Sequence, residues 1–121
     1  MKCYAEKDIE KIKAAIRQLN LERSKEAEGS GSLEAVRFGR NVDGGYLVKH
    51  NKEVIGWGVA FDQFGLSAKQ THIYIKKKYR KNGLGTRLVK RAKKDFPDHS
   101  FVPWNTYTHQ FYSKLKVKTT R

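Results

Sequence analysis

The feature that most constrains this chain lies between Gln70 and Phe96, where a run of alternating apolar residues passes through two glycines directly into an amphipathic helix. Gln70-Thr71-His72-Ile73-Tyr74-Ile75-Lys76 carries β-branched and aromatic residues at alternate positions and predicts a strand. Leu84, Leu88, Val89, Ala92 and Phe96 then recur at helical spacing, with Arg87, Lys90, Arg91, Lys93 and Lys94 on the other faces, until Pro97 stops the pattern. A strand that enters a helix this way leaves backbone N–H groups unpaired at the helix N-terminus, where the helix dipole also favours negative charge. Gly83 and Gly85 let a phosphate approach the backbone, and Arg80, Lys81 and Arg87 add counter-charge. The turn therefore reads as a pyrophosphate cradle.

The remaining pattern predicts elements that could pack around this unit. A short strand over Lys2 to Ala5 precedes a helix capped by Asp8, with Ile9, Ile12, Ile16 and Leu19 on one face and an end near Asn20. Leu21 to Ser32 dissolves into charges and Gly29-Ser30-Gly31-Ser32, a loop or hinge composition, and Leu33 to Phe38 forms one or two helical turns stopped by Gly39. Tyr46–His50 and Glu53–Phe61 read as a hairpin closed by Asn51-Lys52. Gly56 and Gly58 share one face of its second strand, which expects something to pack closely there. A strand over Ser100 to Trp104, a short helix around Thr108 to Leu115 and an extended segment from Lys116 to Arg121 complete the chain.

A length of 121 residues suits one domain, 1–121, with helices on a sheet. The start, Met1 to Glu6, lacks the apolar run of a signal peptide and no long apolar stretch follows, so the expectation is a soluble, cytoplasmic protein with no membrane partner. Cys3, the one cysteine, excludes an internal disulfide and reads as a buried strand residue; no metal site is expected. The formal charge of +14 is uneven: residues 1–34 hold seven basic and seven acidic side chains, so the whole excess (19 basic minus 5 acidic) lies beyond them. That excess either attracts an anion, whether nucleic acid, a phosphorylated cofactor or an acidic protein, or merely keeps the chain soluble.

Among phosphate loops, the P-loop string is absent, and a dinucleotide fingerprint would need a third glycine where Leu88 stands. Arg80-x-x-Gly83-x-Gly85, directly after a strand carrying Ile73 and Ile75, resembles instead the loop of the GNAT superfamily of N-acetyltransferases. A second stretch, Asn105-Thr106-Tyr107-Thr108-His109-Gln110-Phe111-Tyr112-Ser113-Lys114-Leu115, is similar to that family's Asn-x-x-Ala-x-x-x-Tyr-x-Lys-Leu helix. The order of elements also matches. The resemblance implies an α+β (α/β) fold with a mixed, mostly antiparallel central sheet flanked by helices. It implies acetyl-CoA as cofactor, held by Ile73, Tyr74, Ile75, Arg80, Lys81, Asn82, Gly83, Leu84, Gly85 and Thr86, with Asn105 near the pantetheine. It further implies that the backbone N–H near Ile75 serves as oxyanion donor and that Tyr112 protonates the departing thiolate.

Departures from the family pattern set the open questions. Where many members carry a glutamate, this chain has Lys69-Gln70-Thr71; His72 could accept the amine's proton, as could Asp62 through water, or His72 is an ordinary strand residue. Leu115-Lys116-Val117 replaces the usual Leu-Gly-Phe, and the customary last strand is expected to be missing, leaving an open edge or one completed by a second copy in a homodimer. The acceptor amine is not named by the sequence, though the positive charge favours acidic proteins or nucleic acid over polyamines. Two other readings stand beside the enzyme: a CoA-binding protein without catalysis, and a nucleic-acid-binding module using Lys76 to Lys94 on phosphates with Trp57, Trp104 and Tyr107 for stacking.

Overall fold

The computed structural model describes residues 2–26, 42–62, 69–103 and 105–119. Its centre is a five-stranded sheet in the order β1 (Lys2–Glu6), β2 (Val42–His50), β3 (Glu53–Asp62), β4 (Lys69–Ile75) and β5 (Ser100–Phe101). The first four strands pair antiparallel and β5 joins β4 in parallel. The β2–β3 turn is the two-residue loop expected from Asn51-Lys52, and both residues take positive φ (50° and 72°), as a turn matched to strand twist requires.

Helix α1 (Ile9–Glu26) covers one face of the sheet, where Ile12, Ala15, Ile16 and Leu19 pack on Leu47, Trp57, Val59, Phe61 and Tyr74. Helices α2 (Leu84–Asp95) and α3 (Thr106–Leu115) serve the other face: Leu84, Leu88, Val89, Ala92 and Tyr112 pack on Tyr46, Val48, Ile55, Ile73 and Ile75. The strand period of two sorts Ile73 and Ile75 to the second face and His72 and Tyr74 to the first. α1 runs past Asn20, where its periodicity fades, to Glu26. Arg23 is buried there against His72, so a tertiary contact carries a turn that local pattern did not predict.

Close approach explains two of the glycines. A Cβ on Gly58 would lie 3.3 Å from the Tyr46 ring and 3.8 Å from Leu88, so α2 and the β2 tyrosine press against this strand as its composition predicted. At Gly45 the fit is tighter, since a Cβ would stand 2.7 Å from the Gly58 carbonyl and collide with Ile12 Cδ1.

Beyond α2 the sequence expectations need adjustment. β5 ends at Phe101 rather than Trp104, because Pro103 has no N–H for a ladder; Val102 N–H still donates to the Thr71 carbonyl at 3.0 Å. α3 begins at Thr106, two residues early. The C-terminal segment is not wholly detached from the sheet: Phe101 N–H donates to the Lys118 carbonyl (2.9 Å), and Phe101 and Thr119 form one parallel bridge. The edge of β5 expected to be open is therefore covered by the chain itself at this point. The Gly29–Ser32 hinge, the Leu33–Phe38 turns and Trp104 lie outside the described residues.

Replacing Gly45 by alanine should destabilise the fold by about 1–3 kcal/mol, because the atom met is a backbone oxygen in a packed sheet and cannot swing aside. Urea unfolding at constant m-value would measure it, and a change below a few tenths of a kcal/mol would contradict the packing described.

Candidate active site

Pairing between β4 and β5 stops almost as soon as it starts. The strands share only Gln70 with Ser100 and Thr71 with Phe101, after which β5 leaves while β4 continues to Ile75. Lys76 N–H donates to the Ile55 carbonyl on the β3 side (2.8 Å), and the Thr71 carbonyl accepts on the β5 side. Since successive residues alternate in direction, the peptide groups of Ile73 and Ile75 face away from β3, into the gap that β5 vacates. α3 closes the far side of that gap.

The gap is a cavity of about 260 Å³. Its floor is Ile73, Tyr74 and Ile75; one end is Arg80, Lys81, Gly83, Gly85 and Thr86; its wall is the α3 stripe Tyr107, Gln110, Phe111 and Lys114, with Tyr112 deep inside. Cations thus sit at the turn and on the opposite helix, around an apolar slot. At the turn, Gly83 has φ 79° and caps α2 with no side-chain hydrogen bond. The first helical bond here runs from Arg87 N–H to the Gly83 carbonyl (3.0 Å), so the N–H groups of Leu84, Gly85 and Thr86 precede the helical ladder. A Cβ on Gly83 would meet nothing within 4 Å, whereas one on Gly85 would come within 3.0 Å of Phe111. The first glycine answers a backbone need and the second keeps the slot from closing.

Arg80 is held from two sides. Its Nε donates to the Ile75 carbonyl (2.8 Å), and its guanidinium lies 5.5 Å from the Tyr74 ring centre and 5.1 Å from that of Tyr107. It therefore ties the end of β4 to the first turn of α3. Tyr107 in turn stacks on Phe111 with the rings 2° from parallel. Tyr112 is fully buried, beside Phe101 and Phe111, and desolvation lifts its hydroxyl pKa far above the ordinary tyrosine value.

Several expected site residues fall elsewhere. Leu84 packs into the core, and Asn82, exposed, bonds to the Tyr79 carbonyl (3.4 Å). Asn105 caps α3: its Oδ1 accepts from Thr108 N–H (2.9 Å) while Thr108 Oγ1 accepts from Asn105 N–H (3.0 Å). None of the three lines the cavity. Tyr107, Gln110, Phe111 and Lys114 do line it. Their i, i+3, i+4, i+7 spacing was the available signal, since it places them on one face of the helix that carries Tyr112.

His72 is the main correction. It lies on the α1 face of β4, not in the cavity, with its ring stacked on Trp57 (centroids 5.4 Å). The Arg23 guanidinium is 3.2 Å from His72 Nε2. Because arginine can only donate, Nε2 must be the accepting nitrogen and carries no proton. Burial, then the Arg23 charge, push the His72 pKa well below the ordinary histidine value, so the ring is neutral and its lone pair already engaged. It cannot collect a proton from a substrate in the cavity. Trp57, expected as a stacking residue, is fully buried, and Asp62 does not line the cavity either.

Residues 13–116 match the profile of the Acetyltransferase (GNAT) family. The chain belongs to that family. Solved structures with the same fold include the ribosomal-protein-alanine N-acetyltransferase of Brucella melitensis biovar Abortus 2308 (TM-score 0.64, 10% identity, covering 94% of this chain and 88% of that one). An aminoglycoside acetyltransferase from an uncultured soil metagenomic sample, in complex with trehalose, superposes with TM-score 0.58 at 14% identity over 95% of this GNAT chain and 85% of its own. A second from such a sample gives 0.56 at 16% identity over 95% and 91%. No curated protein matches by sequence. Among the described residues no group of histidine, cysteine, aspartate or glutamate could hold a metal, and no helix is long and apolar enough to cross a membrane.

The neutral His72 makes a prediction about acid stability. Its folded pKa lies below its unfolded value, so it favours the folded state above about pH 6.5, and that contribution drains away as pH falls from 6.5 towards the depressed value. In this window the unfolding free energy should lose up to about 1.4 kcal/mol per pH unit from this one proton. His72→Gln, which keeps an acceptor for Arg23, should flatten that slope in urea titrations; an unchanged slope would show that His72 is not held neutral.

Proposed function

We propose that this protein transfers the acetyl group of acetyl-CoA to the nitrogen of an amine, with the β4–α3 cavity as its site. The observation that carries the reading is the joining of an uncapped, glycine-led helix N-terminus to an apolar slot floored by outward-facing β4 peptides. The residues present suit such a cofactor. Gly83, Gly85 and Thr86 offer backbone N–H groups to a pyrophosphate, Arg80, Lys81 and Lys114 supply positive charge around it, and Ile73, Ile75 and Phe111 suit a thin, weakly polar arm. When bound, acetyl-CoA supplies an activated acyl group as a thioester.

The chain's own groups then have distinct tasks. Ile75 N–H faces the cavity and donates to the acyl oxygen as negative charge gathers there, the arrangement that stabilises acyl transfer most. Tyr112 holds the proton destined for the departing sulfur. Burial keeps its hydroxyl protonated, and the same burial raises the pKa of a thiol placed beside it, so donor and acceptor stay matched. With His72 committed to Arg23, an amine of low pKa, which needs no base, is the acceptor this reading favours. The net charge of +14 works against a polycationic acceptor and favours an amine borne on, or close to, a negatively charged partner.

Calorimetric titration with acetyl-CoA tests the reading. The parent protein should bind and a Gly83→Val/Gly85→Val variant should not, with circular dichroism confirming that the variant folds. Tyr112→Phe should lower kcat by about 10²- to 10⁴-fold with cofactor affinity kept within about twofold. A parent protein that ignores acetyl-CoA would sink the proposal, and a fully active Tyr112→Phe would remove the acid.

A further inference from the structure

The outward face of α2 is not used by the cavity. From Lys76 to Lys94 the sequence holds ten basic residues and no acidic one. On α2 itself, Leu84, Leu88, Val89 and Ala92 point to the core, which turns Arg87, Lys90, Arg91, Lys93 and Lys94 outward, all five exposed. Arg87, Lys90, Arg91 and Lys94 follow the i, i+3, i+4, i+7 pattern and form one stripe about 10 Å long. The acid of the helix, Asp95, is engaged: Tyr46 donates to it at 2.6 Å and Arg91 lies 3.9 Å away. Arg91 is further tied to the Cys3 carbonyl (3.1 Å). Among the described residues Lys90, Lys93 and Lys94 make no ion pair.

A need for solubility alone does not explain this face. α1 covers the opposite side of the sheet with both signs, five basic residues and three acidic, including the Glu10–Lys13 pair. α2 instead sets like charges at positions 87 and 90, 87 and 91, 90 and 93, 90 and 94, and 91 and 94, every one a repulsive helical neighbour. Such self-repulsion weakens the helix unless an anion relieves it. The stripe also lacks the aromatic or aliphatic anchor a protein interface needs: the exposed large hydrophobic residues described are Tyr4, Leu21 and Tyr107, none of them on α2. Interfaces between proteins are depleted in lysine, whereas a row of phosphates asks for little else.

We propose that the exposed face of α2, centred on Lys90, Lys93 and Lys94, is a docking surface for the phosphodiester backbone of a nucleic acid. The contact reads charge and spacing, because phosphate contacts position a nucleic acid without carrying base-sequence information. It is independent of the acetyl-CoA reading, since none of the three lysines lines the cavity.

Fluorescence anisotropy with a labelled oligouridylate, from about 50 to about 200 mM salt, tests the surface. The parent should bind with a steep salt dependence. Lys90→Gln/Lys93→Gln/Lys94→Gln should bind about tenfold more weakly at the upper salt concentration, with the slope of log K against log salt shallower by about two, while acetyl-CoA titration stays unchanged. A variant with equal charge loss on the other side of the sheet, Lys7→Gln/Lys11→Gln/Arg17→Gln, should stay within about twofold of the parent. Equal losses in both variants would show bulk charge and no site. Absence of binding at the lowest salt, or poly-glutamate binding as tightly with the same dependence on α2, would overturn the proposal, the last in favour of an acidic protein.

Discussion

The parting of β4 from β5 after two register pairs is the constraint from which the site follows. An open seam in a sheet leaves peptide groups facing a gap, and buried peptide groups need partners. In this chain the Ile75 carbonyl takes Arg80 Nε, and the apolar face of α3 stands far enough off to leave a slot. The same seam sets where α2 must begin, because the chain leaving β4 has only the 3-10 turn Lys77–Tyr79 and five further residues before Leu84. The cradle and the slot are two ends of one backbone arrangement. Glycine at 83 is needed for the left-handed cap and at 85 to keep Phe111 from being displaced into the gap.

The two faces of the sheet divide the labour. On the α1 face the packing includes a buried polar pair, Arg23 with His72, stacked beneath Trp57. Burying a guanidinium is costly, so its contact with an imidazole that can only remain neutral fixes the end of α1 against β4. On the other face α2 and α3 carry the exposed chemistry. Alternation along β4 puts the side chains of Ile73 and Ile75 on the α2–α3 face and that of His72 on the α1 face, so adjacent residues have different surroundings.

That alternation also explains what the sequence made legible. Period-two and period-3.6 patterns located β3, β4, α1 and α2, because each buries one face and local spacing records it, whereas β2 begins at Val42, four residues before its expected start, and the 3-10 turn Lys77–Tyr79 carried no periodic mark. The glycine turn was readable for the same reason: left-handed φ and close approach leave glycine as their mark. The end of α1 was not, since Arg23 is polar and its burial depends on His72, 49 residues away. Asn105 was legible as a special position but not as to purpose. A residue that caps a helix and one that touches a ligand look alike in sequence, and Thr108 three residues on was the clue to the cap. The tail's contact with Phe101 was hidden because one bridge leaves no periodic pattern.

Histidine 72 illustrates a more general limit. An imidazole on the strand that floors the cavity has the right intrinsic basicity for a proton acceptor, and composition alone does not separate that role from a structural one. Two facts of geometry decide it, neither local. The residue count from Ile73 puts His72 on the opposite face, and the donor at its Nε2 is a group that never gives up its proton. Its place on the α1 face, engaged by Arg23, therefore removes His72 itself from the chemistry of the slot.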